Sequence, residues 1–213
     1  MSKAAAFKPR RGRPSAKQVE AIDAAILQTA KAMFLEEGFD RAAMESVTAR
    51  TGVSKSTLYA RYPSKEDLFA AVVEASVREW SARFSVDDDQ LTDDIGQRLR
   101  HHARTIARSM TMPDVQAFRR ILFATHERFP ALALAMYDQA YSFILNLLVR
   151  DIQDAAERDG CPAVDARGVA ERLLSAIQGW YLQESTVREV PLHELIAFAD
   201  RTVVLMLAGR SAW

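Results

Sequence analysis

The chain has 213 residues, 49% of them hydrophobic and 26% charged, enough to bury a sizeable core in one large or two small domains. Its 28 Lys and Arg balance 28 Asp and Glu, so overall charge gives no case for a nucleic-acid partner, and no apolar run reaches the length of a membrane span. Cys161 is the only cysteine, which excludes an internal disulfide and suits the reducing cytoplasm.

The balance conceals an asymmetry. Residues 1–65 carry 12 basic and 6 acidic side chains, residues 66–213 carry 16 and 22, and all six lysines lie in the first part. Such a split points to a basic surface on an N-terminal domain and a different task for the rest. Residues 1–16, MSKAAAFKPRRGRPSA, hold five cations, no acid, two prolines and no apolar period, the composition of a disordered arm. No apolar stretch follows the charges, so the arm does not read as a signal peptide. Arg10-Arg11-Gly12-Arg13-Pro14 resembles the R-G-R-P element of minor-groove-binding arms, with Arg11 and Arg13 as the groove-inserting cations. A merely solvated tail is the alternative.

From residue 17 the period becomes helical. Val19, Ile22, Ile26, Ala30, Met33 and Phe34 lay one apolar stripe along a helix over 17–37. Between Met44 and Leu68 the pattern is two short helices joined by a glycine turn, the arrangement of a helix-turn-helix. Val47 and Ala49 give the first helix a small apolar face, Gly52 takes the turn, and Val53 covers it. Ser54 is placed to cap the second helix, leaving Lys55, Ser56, Thr57 and Tyr59 around its N-terminus with Leu58 inward. Hydroxyls, a cation and a helix N-terminus all suit phosphate.

The run from Gly52 to Tyr59, GVSKSTLY, followed by Tyr62, Ser64-Lys65-Glu66 and Leu68-Phe69, resembles the DNA-binding domain of the TetR/AcrR regulators over about residues 17–70. Ala30, Phe34, Gly38 and Phe39 stand where that family closes its first helix. The resemblance implies a three-helix domain over 17–63 that reads double-stranded DNA, and it adds Tyr62 and Lys65 to the contact set. One departure is Ala43, where the family usually has a capping Ser or Thr; an Ala cap costs about 1 kcal/mol relative to Ser.

Beyond it the expectation is a dimerising, ligand-binding domain over 64–213, entered by a linking helix over 64–84 that Ser64 and Asp67 cap as an approximate capping box. Asp87–Asp89 and Asp93-Asp94 read as a loop and helix start rather than metal ligands, since nothing nearby pairs with them. Helices are predicted over about 92–110, 114–127, 131–158, 165–187 and 192–208, punctuated by Pro113, Pro130, Gly160-Cys161-Pro162 and Pro191. No alternating strand pattern occurs, so the fold class is all-α. The segment from Phe118 to Leu122, with Glu127-Arg128-Phe129-Pro130 and Tyr137, resembles the C-terminal domain of the AefR-like and AcrR-like repressors. That resemblance implies a helical bundle with a ligand cavity and a four-helix dimer interface.

Aromatics supply the case for a cavity. Trp80 and Phe84 end the linking helix, Phe118, Leu122, Phe123 and His126 follow on a later one, Tyr137 and Tyr141 lie on the long helix, and Gln178 and Trp180 lie near the end of the next. Sites for small apolar ligands are lined this way, although each ring taken singly could be ordinary core. Gly179 would allow close helix approach. Leu192, Leu195, Ile196, Ala199, Val203 and Leu207, with Val169, Leu173 and Ile177, form faces for a second copy, and reading DNA by half-sites calls for a dimer. His101 and His102 are adjacent, point about 100° apart on a helix, and read as partly exposed residues rather than metal ligands. No catalytic or nucleotide-binding string is present, and no cofactor is implied. These readings describe a cytoplasmic, homodimeric regulator, in the first instance a repressor, that binds a palindromic operator and is released by a small hydrophobic or aromatic effector. The rival is an all-helical small-molecule-binding protein or enzyme whose helix-turn-helix is incidental.

Overall fold

A computed structural model describes residues 15–84 and 92–213, and every regular element among them is helical. Arg11, Arg13 and Asp87–Asp89 lie outside the described residues, as does the Phe84 side chain. The chain divides into two compact units, one formed by residues up to Arg78 with Ala117–Gln139, the other by Glu79–Gln116 with Ala140–Trp213.

The first unit begins with α1 (Ala16–Glu37). Ser15 starts it through a full capping box, its hydroxyl accepting from the Gln18 amide while the Gln18 side chain accepts from the Ser15 amide. The expected stripe is buried at Ile22, Ile26, Ala30, Met33 and Phe34. Then come α2 (Met44–Thr51), α3 (Lys55–Arg61) and the start of α4 (Lys65–Phe84), followed after the other unit's residues by most of α6 (Pro113–Thr125) and by α7 (Pro130–Met136). Ser64 and Asp67 close the expected reciprocal cap at the start of α4, each side chain accepting from the other's amide. The core is a run of phenylalanine rings: Phe34 and Phe39 both pack edge-on to Phe69, with centroids 4.9 and 5.5 Å away. Phe118 meets Phe69 at 5.6 Å and Phe129 meets Phe39 at 5.1 Å. Such edge-to-face pairs contribute about 0.5–1.5 kcal/mol each beyond burial.

In the second unit α5 (Ile95–Met110) packs on α8 (Ser142–Asp159), α9 (Ala166–Glu184) and α10 (Leu192–Ala208). Asp94 caps α5 by accepting from the Gln97 amide. Leu99, Ala103 and Ile106 meet Leu145, Leu148, Ile152, Leu173, Ile177, Leu195, Ala199 and Val203 in one core. Burying each Leu, Ile or Val contributes about 1.5–3 kcal/mol. The chain closes on Trp213, which is buried with its indole N–H donating to the Met206 carbonyl.

Several expectations change here. The helix expected over 131–158 is divided by a π-helical turn at Tyr137–Tyr141, and α9 stops at Glu184, where Ser185 and Thr186 turn their hydroxyls onto the Leu182 and Gln183 carbonyls. His102 is buried rather than partly exposed, because Asp151 of α8 lies 2.7 Å from its Nε2 and receives Arg98 in a two-pronged bridge at 2.9 and 3.1 Å. Gly179 faces open space, with nothing within 4 Å of a Cβ built there. The stripes Val169–Leu173–Ile177 and Leu195–Ala199–Val203, expected to face a second copy, are consumed by their own unit's core.

Candidate nucleic-acid interface

The extended Ala43 precedes α2 and offers no side-chain cap, so that helix starts without the bond a Ser would supply. It ends at Gly52, whose left-handed backbone (φ 73°) a side chain would strain and whose N–H returns to the Thr48 carbonyl. The turn then delivers Ser54 to the head of α3, where its hydroxyl accepts from the Thr57 amide at 3.1 Å. The Ser56 and Thr57 hydroxyls lie 3.0 and 2.8 Å from it. Leu58, fully buried, fixes the rotation of α3, and Lys55, Ser56 and Tyr59 consequently lie on its exposed side.

Lys55 and Tyr59 are not idle on that surface. Glu45, in the first turn of α2, places Oε1 3.5 Å from Lys55 Nζ and 3.4 Å from the Tyr59 hydroxyl. Its own backbone amide and the charge of Lys55 hold the Glu45 carboxyl below its ordinary value. Glu45 stands where the resembling regulators in some cases contact bases or phosphate, but as no obvious donor it takes no assignment from the sequence, and its two partners lie ten and fourteen residues along the chain.

Two residues expected at the DNA make contacts within their own unit. Tyr62 is buried, its hydroxyl donating to Asp23 at 2.9 Å while Arg61 reaches the same carboxylate at 3.1 Å. Burial first, and the Asp23 carboxylate second, push the Tyr62 phenol well above its usual range. It therefore joins α3 to α1 and is removed from the contact surface. Lys65 directs its ammonium to the Phe39 and Asp40 carbonyls at 2.8 and 3.2 Å and lies over the Phe39 ring. Asp40 is further held by a two-pronged bridge from Arg128 at 2.9 and 3.0 Å.

The residues expected to line an effector cavity are divided between the units. In the first, Phe118 belongs to the phenylalanine core, Leu122 is half-buried, and Phe123, His126 and Tyr137 are exposed, with His126 Nδ1 3.1 Å from the Phe123 carbonyl. In the second, the Trp80 indole N–H donates to Asp114 at 3.0 Å, Tyr141 packs against the core, Gln178 is half-buried, and Trp180 stacks on Phe198 at 4.6 Å. An open groove of about 590 Å³ beside Gln153, Asp154, Glu157 and Gly160 includes none of them. Ser76 of α4, which the sequence pattern does not single out, has a buried hydroxyl without a hydrogen-bond partner among the described residues. Among the described residues, no group of three or more His, Cys, Asp and Glu side chains could hold a metal ion, and no helix is long and apolar enough to cross a membrane.

Residues 26–72 match the model of bacterial regulatory proteins of the tetR family, and residues 97–208 match that of the AefR-like transcriptional repressor C-terminal domain. An 89-residue segment is 32% identical to the HTH-type transcriptional repressor SCO4008 of Streptomyces coelicolor, covering 42% of this chain and 46% of that protein. Among solved structures, a TetR-family transcriptional regulator from Mesorhizobium loti superposes with a TM-score of 0.75 at 24% identity, over 89% of this chain and 96% of the other. The flavonoid-responsive regulator FrrA gives a TM-score of 0.74 at 25% identity, over 89% and 97%.

Proposed function

Because the chain belongs to the TetR family of bacterial regulatory proteins, we propose that it acts in the cytoplasm as a homodimeric repressor, seated on a palindromic operator and released by a small hydrophobic or aromatic effector. The observation that carries the DNA reading is the head of α3, where Ser54, Lys55, Ser56, Thr57 and Tyr59 gather hydroxyls and a cation on a helix start fixed by the Gly52 turn and by buried Leu58. Residues 17–63 take the DNA-reading role, and the arm over 1–16 adds Arg11 and Arg13 in the adjacent minor groove. Residues 64–213 take the effector and dimerisation roles.

For the dimer, the free faces of α9 and α10 replace the stripes named from the sequence. Ser175, Gly179 and Leu182 of α9 and Arg201, Val204 and Leu205 of α10 are all exposed, Leu205 at 74%. The absence of side-chain bulk at Ser175 and Gly179 favours close helix approach by a second copy. For the effector, support comes from the unpartnered Ser76 hydroxyl, since a buried polar group without a partner costs about 1–3 kcal/mol that a ligand could recover. The flavonoid response of FrrA, at 25% identity, favours an aromatic ligand. Effector binding would select a conformation with mis-spaced recognition helices. Footprinting the purified protein on the DNA upstream of its own gene tests the reading. A protected palindrome, lost on adding an aromatic compound that also quenches tryptophan emission, is the expected result, and uniform protection without a preferred site counts against it.

A further inference from the structure

Glu45 is the only acidic residue between positions 41 and 65, and it stands beside the donors that would meet DNA. One of its oxygens, Oε1, serves both Lys55 and Tyr59. At 3.5 and 3.4 Å these are long hydrogen bonds between exposed groups, so a phosphate oxygen can replace the carboxylate at either donor without breaking a buried contact. The carboxylate then stays within reach of the same surface, tethered to the start of α2. Glu45 lies in the first turn of α2, where the peptide dipoles favour an anion.

We infer that Glu45 is a specificity-determining residue of the DNA-reading surface: it holds Lys55 and Tyr59 in the free protein, opposes their transfer to the phosphates of arbitrary duplex, and is satisfied on the operator by the amino group of a cytosine in the major groove. The inference rests on the DNA-binding reading above. On a non-operator duplex, Lys55 and Tyr59 turn to phosphate and the carboxylate is left facing the polyanion with its own backbone amide as its remaining donor. Across about 6 Å of water this like-charge repulsion lowers affinity by about threefold per half-site, or about tenfold for a dimer engaging two, and it weakens with salt. On the operator the cytosine N4 amino group replaces the side-chain donors given up to phosphate, which is the base-edge pairing that suits Glu. Lys55 and Tyr59 therefore provide attraction to any duplex, and Glu45 subtracts it wherever the matching base is absent. Discrimination needs such a repulsive element as well as attractive ones.

The experiment uses the full-length protein, a random duplex pool to obtain the selected site, and fluorescence anisotropy on that site and on a non-selected duplex of equal length over a salt series. Glu45→Gln keeps the shape and removes the charge; its melting temperature should stay within about 2 °C of wild type, as expected for an exposed pair. Its affinity for the non-selected duplex should rise about tenfold at low salt, with the preference for the selected site falling in step. In the pool, one position per half-site should move from cytosine toward adenine, which a Gln amide reads, while Glu45→Ala should leave that position degenerate. If wild type selects a palindrome but Glu45→Gln keeps the same base at every position and the same non-selected affinity, the role of Glu45 is overturned and DNA binding stands. If wild type selects no sequence at all, the DNA reading itself fails and takes this inference with it.

Discussion

Replacing Asp151 by Asn tests whether a three-residue ionic cluster holds α5 onto α8. The Asp151 side chain is 1% exposed and takes both prongs of Arg98 together with His102 at 2.7 Å. Burial alone would raise its carboxyl, but hydrogen bonds from His102 and Arg98, with the charges behind them, bring it down from an ordinary 3.8 to about 2. That drop corresponds to about 2 kcal/mol of preference for the ionised form in the folded chain. Asn keeps the volume but presents an amide to two donors, leaving Arg98 and His102 without their anion, and breaking a buried pair in this way costs about 3–5 kcal/mol. For a chain of this size, about 3 kcal/mol lowers the melting temperature by about 6–12 °C. Because the folded carboxyl titrates below the unfolded one, its stabilisation is complete above about pH 4 and is lost as pH falls toward about 2. Calorimetry from pH 7 to pH 2 should therefore show wild type and Asp151→Asn far apart at neutral pH and converging in acid. Melting of the variant within about 2 °C of wild type at pH 7, or parallel curves down to pH 2, would refute the reasoning.

Three further outcomes follow from particular contacts. Ala43→Ser should give α2 its missing cap, raising stability by about 0.5–1 kcal/mol by chemical denaturation, because residue 43 already has the extended backbone a cap requires; an unchanged midpoint counts against it. Lys65→Met should cost about 1–3 kcal/mol of stability through the lost bonds to the Phe39 and Asp40 carbonyls. Tyr59→Ala should leave melting unchanged and weaken operator binding by about 1–3 kcal/mol; the reverse pattern would return Lys65 to the DNA surface. Leu205→Glu, on the exposed face of α10, should sediment as a folded monomer with operator affinity lost, and a dimer with intact affinity would place the interface elsewhere.

The punctuation of the fold was legible because it depends on neighbours in the chain. Ser54 and Gly52 announce a cap and a left-handed turn within a span of three residues, and both have those geometries. Ser64 and Asp67 announce a reciprocal cap across one helical turn and form it. The stripe on α1 from Ile22 to Phe34 is buried for the same reason, since its period is a property of one helix. Tyr62 and Lys65 could not be assigned in this way. Whether a phenol or an ammonium faces DNA or the interior is decided by Asp23, 39 residues earlier, and by the Phe39 and Asp40 carbonyls, 26 and 25 residues earlier.

Apolar periodicity carries the same limit in another form: it identifies a face that must be covered and leaves open what covers it. Leu195, Ala199 and Val203 satisfy the requirement inside their own unit, and the face left over on α10 is read from Val204 and Leu205, adjacent to Val203 in the chain and turned away from the core. The aromatic set divides by the same rule. Phe118 is held by Phe69 and Trp180 by Phe198, while Phe123 and Tyr137 remain exposed, and all four have the same hydrophobic signature in sequence. Charge pairing goes further, because opposite charges distant in sequence can meet within one core: Arg98 and His102, four residues apart on α5, point to one face and call for an acid there, but only packing selects Asp151, 49 residues beyond His102, from among the chain's 28 acids.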